Sequence, residues 1–196
     1  MERMVFKYDK LARENKVIVV NCCGFDSIPA DLGVLKVEEA IAASTKGTIT
    51  SIESFLKFKA GPAGYCGHAT TFECAVLGFS NQAEFSKWRK ATNNNNSNSS
   101  SSSNGKKQSV ALKPRKGWFQ HKEIPGYSYL FPGSDASVVR RSQQYLASTF
   151  DKQPVAYGAY FTVSSWISKL KIILGGVFLA LFSRFSLGRE LLLKVS

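Results

Sequence analysis

The sequence lacks three signals that mark common cofactor, metal and disulfide sites. None of its glycines falls into a G-x-G-x-x-G pattern, which argues against a complete phosphate-binding loop for a dinucleotide. Its four cysteines (Cys22, Cys23, Cys66, Cys74) include no C-x-x-C pair, so the sequence indicates no metal site and no disulfide framework, and we expect small, buried, reduced thiols. The opening residues MERMVFKYDK carry no apolar stretch of the signal-peptide kind, which favours a cytosol-facing chain.

Acidic residues are also scarce: the chain has 14 Asp and Glu residues and 26 Lys and Arg residues, so its net charge is +12. This excess predicts attraction to anionic membrane surfaces or polyanions. The basic residues cluster beside a polar tract rather than on a recognisable nucleic-acid-reading module, so no nucleic-acid partner is expected. With 196 residues, 44% of them hydrophobic, the chain is long enough for one core of ordinary size.

The first part of the chain has the pattern of a helix, a strand, a polar corner and a second helix. Residues 8–14 predict a short helix, and residues 16–20 predict a strand without alternation, which is typical of a strand covered on both faces. The corner GFDSIPAD follows, and the next apolar residues recur at helical spacing up to about Ser44. We expect Asp31 to lie in the first turn of that helix, where a carboxylate suits the helix dipole.

The remaining chain alternates strands and helices around one interruption. GTITSIESFLKFKA predicts a strand, and a glycine-rich turn then feeds a helix that ends near Gly78. The tract at residues 92–108 is nearly all Asn, Ser and Lys, so it predicts a flexible loop. After it come a strand at GYSYL, a helix with Ser134 or Asp135 as its N-cap, and a strand at PVAYGAYFTV.

An uncharged apolar run occupies residues 172–182 between two basic residues, Lys171 and Arg184. It is too short to span a bilayer upright, which takes ~20 apolar residues. Two interpretations stay open: a helix or hairpin lying in a membrane surface, or a helix that closes the core.

Two motifs resemble a known family. CCGFDSIPADLG, followed after a strand by GHATTFECAVLGF, resembles the saccharopine dehydrogenase-like oxidoreductases, a eukaryotic group with relatives among bacterial trans-acting enoyl reductases. The resemblance covers residues 8–77 well and residues 127–182 more loosely. It implies that the strand at residues 16–20 is the last strand of a Rossmann domain, and that the chain starts after nearly all of that domain.

The resemblance also suggests where a site would lie. Ligands of open α/β sheets bind beyond the carboxyl ends of the strands, which is where the polar corner sits. Gly24, Phe25, Asp26 and Ser27 are therefore candidate cofactor contacts, and Gly24 would permit an unusual backbone angle or a close approach. Asp26 is also a candidate catalytic group. Alternatively, Asp26 and Ser27 only cap the turn and the helix.

His68 is the second catalytic candidate, because an imidazole passes protons near neutral pH. Thr70 and Thr71 are candidate substrate contacts through their hydroxyl groups. Alternatively, all three residues satisfy the first N–H groups of a helix.

These inferences give one overall prediction: an α/β protein in which a remnant of the last Rossmann strand precedes an α+β substrate or dimerisation-type domain with a mixed sheet. The predicted parts are the end of the dinucleotide-binding domain (1–30), the second domain (31–91 and 109–165), the loop (92–108) and a membrane-associating segment (166–196). The resemblance implies an NAD(P)-linked oxidoreductase in lipid or glycolipid metabolism, on a lipid droplet, membrane or mitochondrion, with homo-oligomers possible. This chain alone is not expected to bind NAD(P). The alternative is a non-catalytic membrane-associated remnant or interaction protein.

Overall fold

The computed structural model describes residues 2–24, 26–45, 47–59, 61–62, 64, 69–81, 84, 86–87 and 114–195. Over these residues it has six helices and three strands. The helices are α1 (Glu2–Glu14), α2 (Ser27–Ser44), α3 (Ala69–Ser80), α4 (Asp135–Phe150), α5 (Trp166–Phe182) and α6 (Ser186–Val195). The strands are β1 (Ser51–Lys57), β2 (Tyr127–Leu130) and β3 (Ala156–Val163). The predicted loop at residues 92–108 lies outside the described residues.

The strands form a mixed sheet in the order β1-β3-β2, which confirms the predicted α/β class. β1 pairs in parallel with β3, from Ser51 opposite Ala156 onward, and β2 pairs antiparallel with β3. As the central strand, β3 is the most buried element, and its Tyr160 is fully buried. Tyr160 stacks on Phe55 of β1, with ring centroids 5.3 Å apart.

Helices α2 and α4 pack against each other beside the sheet through polar as well as apolar contacts. Glu38 of α2 is 7% exposed, accepts a hydrogen bond from Gln143 and forms an ion pair with Lys152. The amide oxygen of Gln143 accepts a hydrogen bond from the backbone N–H of Val155 at 3.0 Å. These bonds connect the two helices to the start of β3 and satisfy the buried carboxylate.

The predicted strand at residues 16–20 is wrong for this structure. Residues 17–20 belong to no helix and no sheet, and they are 55–91% exposed, with Ile18 the most exposed. A strand exists only if a neighbouring strand accepts and donates its backbone hydrogen bonds, and no described strand pairs with this segment. The backbone N–H of Val17 instead donates to the carbonyl of Ala12 at the end of α1. The helix before this segment, α1, is confirmed and is longer than predicted.

The C-terminal helices form a separate layer with α3. No residue of α5 is buried, although the helix is 17 residues long. Helix α6 folds back on α5 so closely that a Cβ at Gly188 would lie 2.3 Å from the carbonyl oxygen of Phe182. At the other end of α5, Lys169 lies over the rings of Trp118 and Tyr127. None of the helices in the described part of the chain is both long and apolar enough to cross a membrane.

Candidate functional site

The N-termini of α2 and α4 meet, and the polar corner of the sequence forms one side of this junction. Asp26 caps α2 by accepting a hydrogen bond from the backbone N–H of Ser27 at 2.8 Å. The Ser27 hydroxyl is buried, lies 2.8 Å from the hydroxyl of Ser134 and donates to the carboxylate of Asp135 at 3.2 Å. One turn further along α2, the carboxylate of Asp31 accepts a hydrogen bond from Ser142 of α4 at 2.7 Å.

A cavity of about 350 Å³ opens beside this junction, between α2 and β1. This volume lies within the ~300–1,000 Å³ typical of ligand pockets. Its lining comprises the polar residues Asp26, Glu53, Ser54, Asp135 and Tyr157 and the less polar residues Pro29, Ala30, Gly33, Val34, Val37, Ile52, Phe55 and Leu56. A mostly apolar cavity with a few polar groups is the usual form of a small-molecule site.

Two side chains of the cavity, Asp135 and Tyr157, have raised pKa values. Burial and the nearby charge of Asp26 raise the pKa of the Asp135 carboxyl above its ordinary value of 3.8. Burial, together with the charges of Asp135 and Asp31, raises the pKa of the Tyr157 phenol above 10.0. The Tyr157 hydroxyl therefore stays protonated at neutral pH, and it lies 2.6 Å from the hydroxyl of Ser54.

This arrangement has groups for hydrogen bonding and proton transfer. A protonated tyrosine donates to a carbonyl or hydroxyl oxygen, and a carboxylate accepts a proton. Among the residues that the structure describes, no His, Cys, Asp and Glu side chains gather into a possible metal site. The chemistry available from the described residues is therefore acid–base and hydrogen-bonding chemistry.

The structure separates the predicted site residues from one another. Asp26 both caps α2, as the capping interpretation proposed, and lines the cavity. Ser27 is 1% exposed, and its hydroxyl joins α2 to the N-terminus of α4. Thr70 and Thr71 lie in the first turn of α3 with exposed side chains and are not among the described lining residues. Phe25 and His68 lie outside the described residues.

Two further details of this region differ from expectation. The left-handed backbone lies at Cys22, with φ 59°, and not at Gly24, whose φ falls outside the left-handed region. The other role considered for Gly24, the close approach of a ligand, stays a prediction. Asp31 belongs to the second turn of α2 because the helix begins at Ser27, so Asp26 rather than Asp31 interacts with the first turn.

The cysteine prediction also needs correction. Cys23 and Cys74 are exposed and Cys22 is only partly buried, so these three are not the buried small side chains that we expected. The fourth, Cys66, lies outside the described residues.

Sequence reasoning missed the partners of Asp26 in the cavity. Asp135 was predicted only as a possible helix cap, and Tyr157 and Ser54 only as residues of alternating strands. The parallel pairing of β1 with β3 brings Ser54 beside Tyr157, which is 103 residues away in sequence. The packing of α4 on α2 brings Asp135 to the same cavity. The one available signal was the pair of helix starts, DSIP and GSDAS, each with small polar residues where a cap is expected.

Comparisons with known proteins give a consistent set of relatives. The chain is 38% identical to a saccharopine dehydrogenase-like oxidoreductase of Pongo abelii over 99% of its own length. It is 32% identical over 98% of its length to a lipid droplet localized protein of Caenorhabditis elegans, and 29% identical over 99% to a probable mitochondrial saccharopine dehydrogenase-like oxidoreductase of Arabidopsis thaliana.

These relatives are much longer than the chain, which covers 42%, 43% and 45% of them, respectively. No family model matches the chain. No solved structure matches it either. The similarity nevertheless runs along almost the whole chain, which is therefore similar to a part of the saccharopine dehydrogenase-like oxidoreductases.

Proposed function

We propose that the chain is the substrate-side part of a nicotinamide-dependent oxidoreductase that works at a lipid surface. The observation that carries this proposal is α5, a mostly apolar helix of which no residue is buried. The name of the nematode relative, a lipid droplet localized protein, supports the lipid surface. The names of the other two relatives support the oxidoreductase.

The N-terminal segment supports the proposal that separate parts of the whole protein bind the cofactor and the substrate. Residues 17–20 are β-branched, exposed and outside the described sheet, as expected of a strand whose sheet partners lie in another part of a longer protein. We infer that residues 1–30 complete a dinucleotide-binding domain and that residues 31–165 hold the substrate. The nicotinamide cofactor would supply hydride transfer. Calorimetric titration of this chain with NADH or NADPH is expected to show no binding, and micromolar affinity would contradict this division.

The exposed side chains of α5 are numerous enough to hold the chain at a lipid surface. They are Trp166, Ile167, Leu170, Ile172, Ile173, Leu174, Val177, Phe178, Leu181 and Phe182, each between 37% and 63% exposed. Full burial of such a side chain is worth ~1.5–3 kcal/mol, so moving the exposed halves of this set into lipid is worth on the order of 5 kcal/mol or more. Lys171 and Arg184 flank the apolar run and suit anionic headgroups.

The test compares two double variants that add the same charge. Leu174→Asp with Phe178→Asp changes α5, and Leu32→Asp with Tyr145→Asp changes equally exposed positions on α2 and α4. In flotation with phosphatidylcholine–phosphatidylserine vesicles and with triolein droplets, the parent chain and the α2/α4 variant are expected to float with the lipid. The α5 variant is expected to stay in the soluble fraction, with an unchanged circular dichroism spectrum.

Two outcomes would contradict the lipid-surface proposal. One is a parent chain that does not float with either lipid preparation. The other is an α5 variant that unfolds, because that would show that the apolar run closes the core. Equal loss of flotation in both variants would mean that the added charge, rather than α5, controls binding.

A further inference from the structure

We propose that the cavity between α2 and β1 binds the end of a neutral aliphatic alcohol or ketone, with the ligand oxygen at Tyr157 and the hydrocarbon chain along the apolar wall. This inference rests on the proposed oxidoreductase function and names the class of molecule that the site would accept. It is carried by the geometry of the cavity: an apolar wall, a polar end and no cationic side chain among the described lining residues.

The wall of the cavity suits a hydrocarbon chain. Val34 and Val37 lie on the α2 side, and Ile52 and Leu56 lie on the β1 side. Gly33 immediately precedes Val34 on α2 and also lines the cavity, and a Cβ built there would meet no atom within 4 Å. The space beside Gly33 is therefore open, and an aliphatic chain can fill it with ordinary van der Waals contacts.

The polar end of the cavity favours neutral headgroups over anionic ones. Asp26 and Asp135 line it, and no lysine, arginine or histidine is among the described lining residues. Glu53, the third lining carboxylate, already forms an ion pair with Arg115 at 3.0 Å. A carboxylate or phosphate headgroup would enter this end beside like charges and without a counterion, which is unfavourable in a partly buried site. A neutral hydroxyl or carbonyl oxygen avoids this cost.

Tyr157 supplies the specific hydrogen bond. Its hydroxyl lies 2.6 Å from Ser54, and one of the two hydroxyls donates to the other. When Ser54 donates to Tyr157, the tyrosine proton is available to a ligand oxygen. The burial that disfavours the phenolate keeps this proton in place at neutral pH.

The test uses three ligands of equal chain length: decan-1-ol, decan-2-one and decanoate. Methyl-labelled chain is titrated with each and observed by NMR. The alcohol and the ketone are expected to shift the methyl signals of Val37, Ile52 and Leu56. Decanoate is expected to bind at these positions with at least tenfold lower affinity. Partitioning of ligand onto α5 is seen separately at Leu174, so the two events are not confused.

Variants test the location. Gly33→Leu fills the open space and is expected to weaken decan-1-ol binding at the cavity at least tenfold, whereas Gly78→Leu is the matched helical control and should bind as the parent does. Tyr157→Phe removes the donor and is expected to weaken binding about fivefold. If Gly33→Leu folds poorly, Val37→Phe fills the same space from a residue that is already 40% exposed.

Equal binding of decanoate at the cavity, or full binding by a folded cavity-filling variant, would overturn this inference. Neither result depends on flotation or on cofactor binding, so a failure here leaves the lipid-surface proposal standing. Conversely, a chain that fails to float can still show the cavity shifts.

Discussion

Two segments that both favour strand formation end up in opposite environments. The strand β3 and residues 17–20 are both rich in residues that favour strands, and both were predicted as strands. β3 lies between two hydrogen-bonded neighbours, and its Tyr160 is fully buried. Residues 17–20 have no sheet neighbour among the described residues, and Ile18 is 91% exposed. The difference shows that composition marks a candidate strand, whereas the available partner decides whether it becomes one.

The largest expected effect on the free energy of unfolding comes from a substitution in β3, the paired segment. Tyr160→Ala removes a fully buried ring that contacts Phe55 and Phe119, and it should lower the free energy of unfolding by ~3–5 kcal/mol. Tyr145→Ala is the matched control because Tyr145 is 62% exposed. Urea unfolding followed by circular dichroism measures both. Similar losses at the two positions would mean that β3 does not form the core.

A smaller effect on the free energy of unfolding is expected from the buried carboxyl group of Asp135. The raised pKa of Asp135 means that its folded state holds the proton more tightly than the unfolded state, so the stability from this group is present below pH ~3.8 and is lost as pH rises through the raised pKa. Asp135→Asn abolishes that loss. The unfolding free energy of the variant minus that of the parent should therefore grow between pH 4 and pH 7.5. A flat or falling difference would show that burial does not disfavour the charge.

The smallest effect on folding is expected in the unpaired segment. Ile18→Lys should change the free energy of unfolding by less than about 0.5 kcal/mol, because the side chain contacts solvent. The same change should reduce self-association of the chain, since a lysine on an unpaired extended segment opposes edge-to-edge pairing. Urea unfolding and sedimentation velocity measure the two effects. Leu32→Lys on α2 controls for the added charge. If both variants self-associate as much as the parent, residues 17–20 do not cause the self-association.

Much of the fold was predictable because local patterns decide where helices and strands lie. The predicted helix after the polar corner, the strand before Phe58 and the last strand all correspond to elements of the structure, as α2, β1 and β3. The pairing was not predictable. β1 joins β3 across a long separation in sequence, and no local pattern carries that information.

The site was predictable only in part, for the same reason. Asp26 was identified from its corner and does line the cavity. Tyr157 and Asp135 reach that cavity from distant parts of the chain, so their contribution depends on how the elements pack. Ser27 was also identified from this motif, but in the structure its hydroxyl holds two helices together and does not line the cavity.

The strand order has a consequence for synthesis on the ribosome. β1 and β2 each pair with β3 and not with each other, and β3 ends at Val163 of a 196-residue chain. Apart from the bridge between Phe119 and Ser128, the described strand pairs therefore form only after β3 has been synthesised. Until then β1 is an unpaired strand, and unpaired strand edges make a nascent chain prone to aggregation.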